Sequence, residues 1–190
     1  MSNWGIVGAA SCLLLLGPTS TAGAEPITLT FEDLPAAHLY DGGGREPIDG
    51  FYAGLSFGPT VYGGRWDNRD FPSGTTVIGT DRSSMWIDFA QPIASFSVWY
   101  SSADPLPVSF FDSTGTRLGL VTGPANRPNW GLVQFGAANI SRVFFEGQDP
   151  GLFVLDDVTY EPVPEPATLV LLGAGLGGLC LRGRRNWSFR

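Results

Sequence analysis

Ala94-Ser95-Phe96-Ser97-Val98-Trp99-Tyr100-Ser101 is the stretch on which the fold turns. In an extended chain Phe96, Val98 and Tyr100 point to one side, and Ser95, Ser97, Trp99 and Ser101 to the other. Strand side chains alternate between faces, so this segment buries one face and leaves a serine-rich face with a single tryptophan outside. Outward from it, Gly and Pro recur at intervals of about 8 to 12 residues, with β-branched and aromatic runs between them, the rhythm of an all-β sandwich. No helical period of useful length interrupts it. Strands are predicted over residues 27–32, 53–57, 75–79, 85–89, 94–101, 108–111, 117–121, 132–135, 141–146 and 153–160. Asp112-Ser113-Thr114-Gly115 reads as a hairpin turn, with Gly where positive φ is wanted. Residues 41–49 and 63–74 read as long loops. The fold class is an antiparallel β-sandwich, flanked by an N-terminal signal helix and a C-terminal transmembrane helix.

The flanks carry targeting signals. Residues 1–24 have an apolar centre at residues 13–16 and end in Ala22-Gly23-Ala24, a small-x-small cleavage site of a secretory signal peptide. At the other end, a Pro164-Glu165-Pro166 element is followed by an uncharged apolar run, residues 167–181, and then by Arg182, Arg184 and Arg185. As a helix the run is about 22 Å long, shorter than a full span prefers, and flanking arginines can snorkel to lengthen it. The arginines lie on one flank only, so the C-terminus is expected in the cytoplasm and the body outside. Residues 25–161 then form the β-sandwich domain and residues 162–190 the tail.

This tail closely resembles the PEP-CTERM sorting signal of Gram-negative bacteria, in Val163-Pro164-Glu165-Pro166, the Gly-rich apolar run and the terminal arginines. The resemblance implies an exosortase-like membrane transpeptidase as partner. Such an enzyme would cut near Pro164–Pro166 and deliver the body to the cell surface or an exopolysaccharide matrix. Residues 186–190 extend past the arginines as a departure from the pattern. The body, through Phe31-Glu32-Asp33-Leu34-Pro35, Gly54-Leu55-Ser56 and Val154-Leu155-Asp156-Asp157-Val158-Thr159-Tyr160, is similar to the jelly-roll domains found ahead of such tails, which are like galactose-binding and carbohydrate-binding modules.

Charge and composition exclude much. Between Glu25 and Pro166 lie all 18 acids and 7 of the 11 basic residues, a net charge of −11, and the chain has no lysine. That balance excludes nucleic acid as a partner and suits cations, neutral glycans or cation-bridged ones. Both cysteines, Cys12 and Cys180, lie in the targeting segments, so no disulfide holds the body. One histidine and no body cysteine exclude zinc-type sites. Gly54-Leu55-Ser56-Phe57-Gly58 fits the G-x-S-x-G nucleophile elbow, but Pro59 follows it, no helix pattern does, and His38 precedes the serine. Gly173, Gly175 and Gly178 fit a dinucleotide-binding pattern that lacks its second strand and acidic ribose ligand.

Two sets of residues remain. Ile27, Leu29 and Phe31 are expected inward on the first strand, and Asp33 continues that face. Asp156 shares its expected face with Val154, Val158 and Tyr160. A carboxylate on an apolar face must be paired, hydrogen-bonded or metal-bound. With the first and last strands adjacent, Asp33 and Asp156 are candidate Ca²⁺ ligands. The alternative is an acid that caps turn amides or bonds an arginine such as Arg142. Trp66, Trp99 and Trp130 are candidate sugar platforms, with neighbouring Asn and Asp to bond hydroxyls. Asp67, Asn68 and Asp70 read as a solvated polar loop. No cofactor is required. The expected function is a non-catalytic exported protein whose body binds extracellular polysaccharide. The alternatives are a purely structural matrix protein and a small secreted hydrolase.

Overall fold

A computed structural model describes residues 24–40, 46–65, 71–149 and 153–163. The described residues form an all-β fold of nine antiparallel strands. These are β1 (Ile27–Leu29), β2 (Leu55–Gly58), β3 (Val61–Arg65), β4 (Thr76–Thr80), β5 (Ser84–Ser102), β6 (Leu106–Phe111), β7 (Arg117–Gly123), β8 (Gly131–Glu146) and β9 (Phe153–Pro162). A short 3₁₀ turn spans Ala36–His38.

Two long strands organise the rest. The first half of β5 lies between β2 and β8, and β8 continues to β6 and β7. The second half of β5 lies between β8 and β9, and β9 continues to β1, β4 and β3. The β5–β8 register shifts between Asp88 and Ser95. Strands that bend at such irregularities pass from one sheet to another and make the corners of a sandwich. We call the β2-β5-β8-β6-β7 layer sheet I and the β8-β5-β9-β4-β3 layer, with β1, sheet II.

The core lies between the layers. Phe96 of sheet II meets Phe89, Phe110 and Phe145 of sheet I at ring-centroid distances of 6.2, 5.9 and 6.2 Å. Phe96, Val98 and Tyr100 are buried as alternation requires, with Met85, Ile87, Val108, Val143 and Val158 around them. Asp112 accepts the Thr114 and Thr116 amides at 2.9 Å, and Gly115 takes a φ of 82°, so the expected turn joins β6 to β7.

Several expectations change. The predicted strands at 85–89 and 94–101 are one strand, as are those at 132–135 and 141–146. The expected loop from residue 63 begins inside β3, where Gly63 and Gly64 pair with Ile78 and Val77. The first strand stops at Leu29, and Ile27 is exposed. Phe31 is buried, but it reaches the core through a φ of 63° rather than through strand alternation. First and last strands do pair, Ile27 with Tyr160 and Leu29 with Val158. Residues 1–23 and 164–190, with the expected signal and transmembrane helices, lie outside the described residues. Among those described, no helix is long and apolar enough to cross a membrane.

Candidate functional site

The outer face of sheet I carries a groove. Two rows of side chains cross the face, and of these Asp88, Arg142, Phe111 and Phe144 line the groove. Ser56, Asp88, Arg142 and Phe111 stand opposite one another on β2, β5, β8 and β6. In the next row stand Gly58, Trp86, Phe144, Ser109 and Leu120. These point outward because Met85, Ile87, Val143, Phe145, Val108 and Phe110 take the inward phase. An ideal Cβ on Gly58 would fall 2.5 Å from Trp86 Cζ2, so the indole lies across the Gly58 backbone and only glycine admits it there. The Arg142 guanidinium sits 5.7 Å from the Trp86 ring centroid. It also donates to Asp88 through Nε at 2.5 Å and Nη2 at 2.6 Å, and this carboxylate raises the arginine's pKa. The groove, about 650 Å³, is lined by Asp88, Phe111, Asp112, Thr114, Arg142 and Phe144 among others. Its second acid is occupied too. The Thr114 hydroxyl and the Thr116 and Thr114 amides bond Asp112 and hold its carboxyl below the usual range. The groove therefore offers aromatic surface and hydrogen-bonding groups around a compensated charge pair.

The outer face of sheet II holds Trp99, which is 36% exposed and opposite Leu132, beside rows of Ser95, Ser97, Thr159 and Gln134. Trp130 is not open. It is half-buried with its ring 5.8 Å from Phe71, and its Nε1 is buried without a hydrogen-bond partner among the described residues. Trp66 lies outside the described residues, with Asp67, Asn68 and Asp70.

Asp156 is fully buried, but not on the expected face. Ser97 pairs with Thr159 and Trp99 with Asp156, so two steps along β5 match three along β9. The extra residue is Asp157, at a φ of 45°. This bulge reverses the phase of β9. Val158 stays inward while Asp156 and Val154 share the outer face with Trp99 and Ser101. Asp156 is covered there by the segment before β4. Its Oδ2 accepts the Ser73 amide at 3.2 Å, and its Oδ1 accepts the Asp157 amide at 2.8 Å. Ser73 Oγ lies 3.3 Å from Asp156 Oδ1 and donates more closely to Asp157 Oδ1 at 2.6 Å. Burial pushes the Asp156 carboxyl up to about 6, against the lowering effect of the Ser73 amide. Glu32 holds the same segment by accepting the Thr75 and Thr76 amides at 2.8 and 2.6 Å.

Asp33 is exposed and accepts the Tyr52 phenol at 2.5 Å, beyond the end of β1. It does not continue an inward strand face. Arg142 is bonded to Asp88 rather than to Asp156. No group of three or more His, Cys, Asp or Glu is placed to hold a metal among the described residues. Gly54 precedes β2 and Ser56 lies within it, where the Ser56 hydroxyl donates to Asp49 at 2.7 Å, while His38 Nδ1 lies 2.9 Å from the Glu46 carbonyl oxygen.

Trp86 and Phe144 are the functional candidates that sequence reasoning passed over. Their signal was present. Each is an aromatic on the polar phase of a predicted strand, between Met85 and Ile87 and between Val143 and Phe145.

Pro162 closes β9 opposite Ile93, and the Val163 amide donates to the Pro92 carbonyl at 3.1 Å. The tail begins here. Residues 162–185 match the PEP-CTERM protein-sorting motif. This is the signal of exported proteins processed at the membrane. The motif thus starts inside the last strand, while Pro164, Glu165, Pro166, Arg182, Arg184 and Arg185 lie outside the described residues. No curated protein matches the chain. Among solved structures it is similar to the K2 cleaved adhesin domain of Lys-gingipain, at 11% identity over 72% of this chain and 99% of that one, with a TM-score of 0.48. It is also similar to the CBM22-1 xylan-binding domain of Paenibacillus barcinonensis Xyn10C, at 10% identity, 76% and 98% coverage and a TM-score of 0.42. A third is a mutant of CBM29-2, a family 29 carbohydrate-binding module, at 7% identity, 45% and 69% coverage and a TM-score of 0.36. Likenesses at this level carry no ligand across to this chain.

Proposed function

We propose that this PEP-CTERM protein is a non-catalytic glycan-binding component of the cell surface or exopolysaccharide matrix, and that its body holds neutral polysaccharide in the groove of sheet I. The observation that carries this reading is the pair of rings, Phe111 and Phe144, that line the groove around an arginine already neutralised by Asp88, with Trp86 extending the aromatic surface beside Phe144 on the same face. A sugar ring has apolar C–H faces that lie on flat aromatic rings and hydroxyls that need fixed polar partners. An anionic glycan would meet a body of 17 acids and 7 arginines, a net charge of −10, and an arginine already engaged. Asp33 and Asp156 act in this reading as structural acids rather than Ca²⁺ ligands, since each has hydrogen-bond donors of its own.

The tail supplies the address. An exosortase-type transpeptidase engages Val163, Pro164, Glu165 and Pro166, while residues 167–181 anchor the precursor with Arg182, Arg184 and Arg185 on the cytoplasmic side. Replacing Pro164 and Glu165 by Ala should leave full-length protein in the inner membrane. For the body, the test is affinity electrophoresis of the full chain, purified in detergent, through gels cast with xylan, mannan or mixed-linkage glucan. Retardation by at least one of them, lost in Trp86→Ala with the melting temperature kept, supports the reading. Equal mobility in every gel would instead favour a structural matrix protein without a ligand.

A further inference from the structure

We propose that the outer face of sheet II is a second glycan site, so that one body holds two polysaccharide strands on opposite sides. This rests on the glycan reading of sheet I. The face is built from β9, β5 and β8. Trp99 and Leu132, 36% and 43% exposed, stand opposite each other at one end. The next row is Thr159, Ser97 and Gln134, with Thr28 of β1 beyond it, its Oγ1 2.8 Å from Thr159 Oγ1. The third row is Glu161, Ser95 and Gly136. A shallow depression of about 340 Å³ lies over Ser95, Ser97, Gln134, Gly136 and Thr159.

From Trp99 to Ser95 the patch is about 13 Å long, and across three strands it is about 10 Å wide. Hydroxyls and a carboxamide both donate and accept, which matches a ligand that is itself a lattice of hydroxyls. The exposed indole adds a flat apolar surface at one end. None of the three rows carries a cation, and their two carboxylates are already bonded: Glu161 accepts the Ser95 hydroxyl at 3.3 Å, and Asp156, buried opposite Trp99, accepts the Ser73 amide at 3.2 Å. An anionic ligand therefore finds no counter-charge, and the hydroxyl rows do not suit an apolar protein partner. A neutral polysaccharide fits both conditions.

The outer faces of the two sheets point away from each other with the core between them. A short oligosaccharide cannot reach both, whereas two long strands can be held at once. The protein then becomes a cross-link between strands rather than a passive passenger on one.

The test is calorimetry of the full chain in detergent with cellohexaose, xylohexaose and mannohexaose. Two equivalents per chain are expected for a hexaose that binds. Trp99→Ala and Trp86→Ala should each retain one, the double variant none, and Trp99→Phe, which keeps a flat ring, should restore the second. Melting curves of each variant establish that the fold is intact. A single equivalent that Trp86→Ala abolishes and Trp99→Ala leaves untouched would overturn the second site while leaving the first standing. No heat with any hexaose would remove the glycan reading and this inference together.

Discussion

On the outer face of sheet I, Trp86, Asp88, Arg142 and Phe144 all stand where strict alternation along β5 and β8 puts them. On the outer face of sheet II, Asp156 stands where alternation from Val158 would forbid it. The chemistry of the two faces differs as well. Sheet I shows aromatic rings around a compensated ion pair. Sheet II shows rows of hydroxyls, one open tryptophan, and a corner where a buried acid pins the segment before β4. Both faces are products of the same pleat, and on β9 one inserted residue changes which side chains reach the outer face. Where the ladder runs unbroken, every outward residue can be counted from any inward one. Where Asp157 is inserted, the count shifts by one and the residues beyond it change sides.

The largest effect is expected where the two faces share their support. Phe96 touches rings of sheet I from sheet II, and it is 2% exposed. Phe96→Ala should cost about 3–5 kcal/mol in urea unfolding, and both faces should fail together. If one sheet kept its ligand site after this change, the faces would not rest on a common core.

A change confined to sheet II comes next. The folded carboxyl of Asp156 titrates near 6, above its ordinary value of 3.8. The fold therefore binds this proton more tightly than the unfolded chain does, so Asp156 favours the fold at low pH. That advantage is lost as pH rises from about 4 to about 6, a difference on the order of 2–3 kcal/mol. Other carboxylates titrate in the same window, so the measurement is the stability difference between the protein and Asp156→Asn across pH 4 to 7. It should shift steadily in favour of Asp156→Asn as pH rises. A flat difference would mean that the acid is solvated. In the same melts, Ca²⁺ and chelator should leave the protein unchanged, because Ser73 and the Asp157 amide already occupy the carboxylate. A midpoint that rises with Ca²⁺ and no longer does so in Asp156→Asn would restore the metal reading.

The smallest effect on stability is expected on sheet I. Arg142 and Asp88 form an ion pair open to solvent, and such pairs contribute about 0–1 kcal/mol. Arg142→Ala should therefore leave the unfolding midpoint almost in place while abolishing retardation in polysaccharide gels. Loss of stability beyond that range would mark the pair as a structural clamp rather than part of a site.

Much of this was legible beforehand. The alternation of Phe96, Val98 and Tyr100 marked the inward face of β5, and the turn at Asp112–Gly115 was readable from its residue types. The pairing of the first and last strands followed from sandwich architecture. Trp86 was equally countable from Met85 and Ile87, but an outward aromatic draws attention only once its neighbours across the ladder are known. Trp130 could not be judged, because what covers it is Phe71, far away in the chain. Asp33 was misplaced because β1 ends early and Phe31 turns inward at positive φ.

Residue types and their order along the chain were enough for the fold class, the sorting tail and the absence of a disulfide in the body. Three other features were settled only in three dimensions: β5 and β8 each serve two sheets, Asp156 is buried on an outer face, and Arg142 belongs to Asp88. Those are matters of register. A bend or a bulge shifts the pairing by a single residue, and the composition of a strand scarcely records which residue is inserted, whereas the packing of the opposing sheet selects it.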